Sequence, residues 1–250
     1  MFPGLKGKRV LITGAGSGIG AEMAKMFAKA EAKIGFHFRS SSNAVTRVQN
    51  DVLAQAEVVI LKGNLLDRKV RENLVRDFVS TFGGIDVLIN NAGACPEYKH
   101  FSDLSEEEWD QMFELHVKAP FALSKNAFAY MKKQKWGRII FVSTASIKFG
   151  GVNNMHYYAS KATMDAMMQG FAREGAKHNI LVNSIRPGII DTPMRTKTIG
   201  YERKRWKERL KFIPLGHPGE PRDVAAMALY LASEYGKFVT GEIFSIAGGE

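Results

Sequence analysis

The stretch VLITGAGSGIG, residues Val10–Gly20, decides the fold. Its three leading apolar residues predict a short strand, and the glycines that follow predict a tight turn. The next residues, Ala21–Ala30, place apolar side chains at helical spacing and predict a helix. Glycines let the backbone approach a pyrophosphate closely, and a helix amino terminus offers unpaired N–H groups and a favourable dipole. Strand, glycine turn and helix together predict a dinucleotide-binding site, with a tight turn that binds no ligand as the alternative.

Strand-like and helix-like segments alternate along the rest of the chain. This alternation predicts an α/β fold, a Rossmann-type doubly wound parallel sheet flanked by helices. No linker, repeat or low-complexity tract divides residues 1–250, which predicts a single domain. Ligands of such sheets bind beyond the carboxyl ends of the strands, so the segments that follow the strands should converge on one crevice. The strands predicted after the first are Lys33–Phe38, Val58–Leu61, Ile85–Ile89, Ile139–Val142, Ile180–Ile185 and Val239–Ile246.

The composition narrows the class of protein. A single cysteine, Cys95, excludes an intrachain disulfide and fits a reducing compartment. No apolar run is long enough to span a membrane, and Met1–Arg9 lacks the apolar core of a signal peptide. We therefore expect a cytoplasmic protein without a membrane partner. The net charge of +10 favours contact with anions such as phosphates or acidic carriers.

Basic residues are concentrated in one segment near the carboxyl end, at about residues 194–213. Within it Trp206, Leu210 and Ile213 fall at positions i, i+4 and i+7, which predicts one apolar stripe on a basic helix. Two interpretations compete: a lid whose stripe covers the substrate and whose charges meet an anionic carrier, or a packed surface helix with solvated charges. A lone basic helix is not a nucleic-acid-binding module, so no nucleic acid is expected as a partner.

The end of the second predicted strand carries the residues that should read the ribose of a dinucleotide. An acidic residue there suits the 2′-hydroxyl of NAD, whereas an arginine suits the 2′-phosphate of NADP. The chain has no acid at this point but has Arg39, followed by Ser40 and two further serines. A guanidinium beside small hydroxyls is a good phosphate site. The sequence favours NADP(H), with NAD(H) as the second option and an exposed loop arginine as the alternative role of Arg39.

Hydroxyl and phenol side chains follow the strand Ile139–Val142. Tyr157 and Lys161 are four residues apart in a predicted helix, so both side chains can face the same cleft. A free phenol has a pKa of roughly 10, and a nearby ammonium would lower that pKa. We therefore expect Lys161 to lower the pKa of Tyr157 and to make it a proton donor or acceptor. The alternative is a helix with a buried tyrosine and a solvated lysine.

Taken together, the motifs of this chain resemble those of the classical short-chain dehydrogenase/reductase family along nearly its whole length. The order and the spacing of the motifs carry the resemblance more than any single motif does. The matching residues are Thr13–Gly20, Asn90–Gly93, Tyr157 and Lys161, then Pro187, Gly188 and Thr192, and finally Thr240, Gly241, Gly248 and Gly249.

The resemblance implies an oxidoreductase that interconverts a carbonyl and a secondary alcohol by hydride transfer, with Tyr157 as general acid/base. It implies contacts to the nicotinamide cofactor from a set of loop residues and no metal site. Lys161 would hold the nicotinamide ribose in addition to tuning Tyr157. The implied cofactor-binding residues are Gly14, Ser17, Gly18, Ile19, Gly20, Arg39, Ser40, Asn64, Leu65, Asn91, Ala92, Gly93, Tyr157, Lys161, Pro187, Gly188, Ile190 and Thr192.

Three positions depart from the family's pattern. Thr144 stands where the family has its catalytic serine, and the threonine hydroxyl keeps the same donor and acceptor functions. Ser146 is the alternative for that role. His116 stands where the family has a catalytic asparagine, and it could hold a water or titrate near neutral pH in a proton relay. Asn64 replaces an acid that commonly contacts adenine.

The substrate is less well defined by the sequence. The first hypothesis is a 3-oxoacyl chain on an acyl carrier protein or coenzyme A, with the acidic carrier docked on Lys135, Arg138 and the basic segment. The second is a small alcohol, sugar or steroid. The third, from a different class, is a cofactor-binding regulatory protein without catalysis. Because family members are commonly tetramers or dimers, we also expect a homo-oligomer.

Overall fold

A computed structural model describes residues 2–150, 153–194, 208 and 210–250. Strands and helices alternate along these residues. The strands are β1 (Arg9–Ile12), β2 (Lys33–Phe38), β3 (Val58–Lys62), β4 (Val87–Asn90), β5 (Gly137–Val142), β6 (Ile180–Pro187) and β7 (Ile243–Ile246). The helices are α1 (Gly18–Lys29), α2 (Asn43–Leu53), α3 (Arg68–Phe82), α4 (Glu106–Phe113), α5 (Ala119–Gln134), α6 (Met155–Gly175) and α7 (Pro221–Ala232).

The seven strands form one parallel sheet in the order β3-β2-β1-β4-β5-β6-β7. Strands β2 and β3 are added on one side of β1, and strands β4 to β7 are added on the other side. Where the strand order switches sides in this way, between β1 and β4, a crevice opens beyond the carboxyl ends of the strands. The predicted doubly wound parallel sheet in a single domain is confirmed. The bounds of β2 agree with the prediction, whereas β7 begins at Ile243 because Val239–Gly241 turns, with Gly241 at φ +78°.

Helices cover both faces of the sheet, because each strand of a parallel sheet presents apolar side chains on either side. One core contains Phe27 of α1 and Leu229 of α7 packed against β1 and β2. The other contains Phe78 of α3, Met131 of α5 and Met168 of α6 packed against β4 and β5. The two cores fix the helices at their places over the sheet and so position the loops at its carboxyl edge.

The long helical stretch predicted from Ser105 to Tyr130 is interrupted as expected from Pro120. It begins with a capping box in which Ser105 and Glu108 satisfy each other's backbone N–H groups, as the sequence predicts. A π-helical turn, Glu114–Lys118, then separates α4 from α5. Pro120 has no N–H to donate to the carbonyl of His116, four residues earlier, so the regular helical pattern cannot continue there. The turn places His116 in the interior, with no exposed surface.

The basic segment predicted at about residues 194–213 lies for the most part outside the described residues. Of its members the structure describes only residue 194, residue 208 and residues 210–213. The lid therefore stays a prediction. Throughout the described part of the chain, no helix combines the length and the apolar character that a membrane span requires.

Candidate active site

The glycine loop between β1 and α1 forms a backbone cradle at the carboxyl edge of the sheet. Gly14 and Gly18 have φ values of +68° and +53°, a region that favours glycine. A Cβ atom on Gly20 would lie 2.2 Å from the carbonyl oxygen of Gly14, so this position has no room for a side chain. Helix α1 begins at Gly18, and the side chain of its cap residue Ser17 makes no capping hydrogen bond. Free N–H groups at an uncapped helix amino terminus fit a pyrophosphate.

The stretch after β4 is held against this loop. Thr13 Oγ1 accepts hydrogen bonds from the backbone N–H groups of Asn91 and Ala92, both at 3.0 Å. Asn91 Nδ2 donates in turn to the carbonyl oxygens of Thr13 and Gly14, at 2.9 and 3.3 Å. These bonds bring the predicted cofactor residues after β1 and β4 together across the crevice.

Residues after β6 approach the same loop. A Cβ on Gly18 would lie 3.2 Å from Thr192 Cγ2, which places Thr192 beside the start of α1. Ile190 is buried and pairs with Gly219 in an isolated bridge. Gly188 donates its N–H to the carbonyl of Ile246 in β7. Pro187 ends β6 and is buried.

The predicted ribose-reading residues lie after β2 and β3. Arg39 and Ser40 directly follow β2 and are exposed. Across the described part of the chain, Arg39 forms no hydrogen bond or ion pair, so its guanidinium is available for an anion. Asn64 is exposed and its Oδ1 accepts from the N–H of Leu66 at 3.2 Å, while Leu65 is buried in the core. The structure thus brings Arg39, Ser40 and Asn64 to the crevice edge and turns the side chain of Leu65 inward.

Tyr157, Thr144 and Lys161 meet at the carboxyl end of β5. The hydroxyl of Thr144 lies close enough to the Tyr157 phenol to act against the rise of its pKa, and it also caps a short 3₁₀ turn by accepting from the N–H of Ser146. Lys161 is buried, and its Nζ donates to the carbonyl of Val142 at 2.7 Å. A Cβ on Gly93 would lie 3.5 Å from Lys161 Nζ, so the loop after β4 closes this side of the site. The predicted phenol, hydroxyl and ammonium are therefore in one place.

The electrostatics of this group differ from the expectation. The pKa of Tyr157 is raised, not lowered, because removal of water from the phenolate outweighs the opposing hydrogen bond from Thr144. Burial also lowers the pKa of Lys161 to about 8. The expected net lowering of the Tyr157 pKa is therefore wrong, because burial outweighs the interactions that oppose it. Tyr157 is therefore a neutral phenol that holds a proton to donate, and its raised pKa makes it a weaker acid than a free phenol.

His116 is a fixed, neutral side chain. Its Nε2 accepts from the N–H of Ala94 at 3.2 Å, and its Nδ1 lies 3.0 Å from Ser160 Oγ, which donates its own proton to the carbonyl of Tyr157. The proton of the imidazole is therefore on Nδ1. Burial keeps the pKa of His116 well below its usual value, and the positive charge of Lys161 lowers it further. The hypothesis that His116 titrates near neutral pH is wrong, because both nitrogens are engaged and the ring has no exposed surface on which solvent could stabilise a charge.

The docking surface expected at Lys135 and Arg138 does not border this cleft within the chain. Both residues lie at the amino-terminal end of β5, whereas the site is at its carboxyl end. Arg138 is also buried, with its guanidinium 4.3 Å from the ring centroid of Trp136. A buried guanidinium stacked on an aromatic ring stabilises the fold and is not available to an acidic carrier.

Two buried groups beside the site are not apparent from the sequence motifs. His37 Nδ1 accepts from the N–H of Gly14 at 3.3 Å, and its Nε2 lies 3.1 Å from the carbonyl of Gly63. Asp165, one turn after Lys161, accepts from Ser143, Ser184 and Arg186. The position of Asp165 four residues after Lys161 is a sequence signal for the same helix face. For His37 the sequence signal is its position as the second-to-last residue of β2, near the carboxyl edge of the sheet where the glycine loop lies.

Comparison with known proteins identifies the family. A family model described as enoyl-(acyl carrier protein) reductase matches residues 14–250. The chain is 35% identical over 247 residues to the 3-oxoacyl-[acyl-carrier-protein] reductase FabG of Thermotoga maritima, covering 98% of each chain. It is 32% identical to the acetoacetyl-CoA reductase of an Acinetobacter strain, covering 97% of each.

Solved structures agree with these relatives. A mutant short-chain dehydrogenase/reductase from Serratia marcescens superposes with a TM-score of 0.89, at 28% identity and 98% coverage of each chain. Levodione reductase superposes with a TM-score of 0.92, at 26% identity, covering 98% of this chain and 97% of its own. The glycine cradle, the site at the end of β5 and these comparisons agree, and the chain belongs to the short-chain dehydrogenase/reductase family as an NAD(P)-dependent oxidoreductase that interconverts carbonyl and alcohol groups.

Proposed function

We propose that this protein is an NADP(H)-dependent reductase of 3-oxoacyl thioesters, with Tyr157 as the general acid. The observation that carries the proposal is the phenol of Tyr157, which lies beside the Thr144 hydroxyl and one helical turn from the buried Lys161. A neutral phenol is the proton donor that carbonyl reduction requires at neutral pH.

Tyr157, Thr144 and Lys161 each have a different role in the proton transfer. When bound, the nicotinamide supplies the hydride to the carbonyl carbon of the substrate. As negative charge grows on the carbonyl oxygen, Tyr157 donates its proton to that oxygen, and Thr144 donates a hydrogen bond to it. The ammonium of Lys161 then stabilises the negative charge that Tyr157 acquires. Thr144 and Lys161 are buried, so water screens their interactions little.

Arg39 supports a preference for NADP(H). Its exposed guanidinium lies directly after β2, at the place where the ribose of a dinucleotide is read. A 2′-phosphate gives this guanidinium a doubly charged partner that NADH lacks. Replacing it in Arg39→Ala should weaken NADPH binding far more than NADH binding, with Arg47→Ala on the exposed side of α2 as the matched control. Equal weakening of both cofactors would contradict the role of Arg39.

Two observations support an acyl thioester as the substrate. The names of the relatives from Thermotoga maritima and Acinetobacter specify 3-oxoacyl and acetoacetyl thioesters. In addition, large apolar side chains are exposed after β4 and β5, namely Phe101 and Phe149 on the two connections and Met155 at the start of α6. The two loops are joined by a hydrogen bond from the N–H of Lys99 to the carbonyl of Asn153, at 2.8 Å. An apolar rim suits an acyl chain better than it suits a sugar.

The remaining features of the proposal follow from the family. A homo-oligomer, dimer or tetramer, is expected, together with a cytoplasmic location. An acyl-carrier-linked substrate would meet the basic segment 194–213 as a lid. Replacement of three or more of its basic residues should then reduce turnover of carrier-linked substrates and spare turnover of small ketones.

The first experiment follows NADPH consumption with acetoacetyl-CoA, longer 3-oxoacyl thioesters and a panel of small ketones. Tyr157→Phe should abolish turnover and keep NADPH binding, while Tyr130→Phe on α5, remote from the site, should keep both. Turnover of small ketones alone would replace the thioester proposal by a small-alcohol, sugar or steroid dehydrogenase. Tight NADPH binding without turnover of any carbonyl would favour a regulatory role instead.

A further inference from the structure

A buried carboxylate stands next to the site and takes no part in the chemistry proposed above. Asp165 is 3% exposed, on the helix α6 that also carries Tyr157 and Lys161. Its Oδ1 accepts from Ser184 Oγ at 2.5 Å, and its Oδ2 accepts from Ser143 Oγ at 3.0 Å and from Arg186 Nε at 2.8 Å. A carboxylate is almost never buried to this degree without partners.

The partners of Asp165 come from the two strands that end at the site. Ser143 ends the run that leads from β5 to Thr144, and its Oγ also lies 3.3 Å from the carbonyl of Lys161. Ser184 and Arg186 belong to β6, shortly before Gly188. Asp165 therefore ties the helix that carries the acid and the ammonium to the strand that delivers the hydroxyl.

The negative charge of Asp165 favours the protonated form of Lys161. The buried ammonium of Lys161 has the carbonyl of Val142 as its hydrogen-bond acceptor, which carries only a partial charge. The titratable groups around it are Tyr157 on the same helix, His116 from the π-helical turn and Cys95 from the loop after β4.

Burial lowers the pKa of Lys161 to about 8, and Asp165 acts against this shift. Of the groups that act on Lys161 within the described residues, Asp165 is the one carboxylate. The guanidinium of Arg186 is the ion-pair partner of Asp165, with Nε 2.8 Å from Oδ2.

We propose that Asp165 is a positioning residue whose negative charge keeps Lys161 in the ammonium form at neutral pH while it aligns β5 with α6. The role in catalysis rests on the proposed function, whereas the effect on Lys161 does not. Asp165 touches neither the substrate nor the cofactor in this role; it acts through Lys161.

The test uses Asp165→Asn, which keeps the shape and one acceptor oxygen but removes the charge. In full-length protein labelled with ¹³C at the lysine ε-carbons, the titration midpoint of Lys161 should fall by about one pH unit or more. The resonance is assigned by its absence from Lys161→Arg. A fall of one unit from about 8 leaves about a tenth instead of half of Lys161 protonated at pH 8, so kcat/KM with NADPH should fall about fivefold there and recover at pH 6.

Two matched variants separate charge from structure. Ser184→Ala removes one hydrogen bond to Asp165 without a change of charge, so the Lys161 midpoint should stay in place. Arg186→Gln removes the neighbouring cation and keeps the carboxylate, so the midpoint should rise, and this variant tests the proposal if Asp165→Asn does not fold.

An unchanged midpoint in Asp165→Asn, or in Arg186→Gln, would overturn the proposal and leave Asp165 as a clamp between strands. A loss of activity in Asp165→Asn that is equal at pH 6 and pH 8 would overturn it as well. If no carbonyl substrate is turned over at all, the proposed function fails, but the NMR titration still decides the effect of Asp165 on Lys161.

Discussion

His37 should make the stability of this protein sensitive to mild acid. The ring is buried, and its Nδ1 accepts the N–H of Gly14 while its Nε2 donates to the carbonyl of Gly63. A second proton on Nδ1 would face the N–H donor of Gly14, and the buried ring has almost no contact with solvent that could compensate. Burial therefore lowers the pKa of His37 from 6.5 to about 4. Since its folded-state pKa is lower, the unfolded chain binds this proton first as the pH falls.

The size of the effect follows from these two pKa values. Stability is fully present above about pH 7, is lost progressively as the pH falls below 6.5, and the loss ends near pH 4. At 1.36 kcal/mol per unit, the full loss is about 3 kcal/mol, and the part between pH 7 and pH 5 is about 2 kcal/mol. His37→Gln keeps a donor and an acceptor but does not titrate in this range.

The assay is urea unfolding of the two proteins at pH 7, 6 and 5. Other titrating groups are common to both, so their effects cancel in the difference between the two free energies of unfolding. The advantage of the original protein over His37→Gln should shrink by about 2 kcal/mol between pH 7 and pH 5. His217→Gln, at an exposed histidine, is the control for the loss of one imidazole. Parallel pH dependences for the original protein and His37→Gln would refute the reasoning.

Four further substitutions test other parts of the structure. Gly20→Ala should destabilise by about 1–3 kcal/mol and weaken NADPH binding in a fluorescence titration, because its Cβ would overlap the carbonyl of Gly14; Gly170→Ala, in open space on α6, should instead stabilise by about 0.5–1 kcal/mol. Ser105→Ala removes a cap of α4 and should lower the free energy of unfolding by about 1 kcal/mol. His116→Phe fills a similar volume but leaves two hydrogen bonds unmade, so urea unfolding should show a loss of about 2–4 kcal/mol, and a neutral result would contradict the fixed role of this ring.

The fold could be predicted from the sequence because its signals are local. Apolar runs, helical spacing and the glycine turn at Val10–Gly20 each act within a few residues, and the alternation of elements then fixes the parallel topology. Ser105 likewise predicted the start of the long helical stretch, and Pro120 predicted its interruption. Both predictions succeeded because these residues act on the neighbouring backbone. The bounds of β7 were missed because Gly241 turns the chain just before the strand.

The site could be predicted as a set of residues but not as an electrostatic environment. Tyr157, Thr144 and Lys161 come together as expected, yet their pKa values depend on burial, which the spacing of residues does not reveal. The same holds for His116, which is neutral because both ring nitrogens are engaged. The prediction that Arg138 belongs to a docking surface beside the cleft was wrong for a different reason. The direction of β5 puts this residue at the amino-terminal end of the strand, and the site lies at the carboxyl end.

The strand order has a consequence for how this chain is synthesised. Strand β1 lies inside the sheet, between β2 and β4, but β4 follows it in the sequence by more than 70 residues. As the chain leaves the ribosome, β1, β2 and β3 can pair first, which leaves one edge of β1 with open N–H and C=O groups until Val87–Asn90 has emerged. That edge is apolar and prone to pair with other chains. The nascent protein therefore exposes a strand edge at which it can aggregate in the interval between translation of β3 and translation of β4.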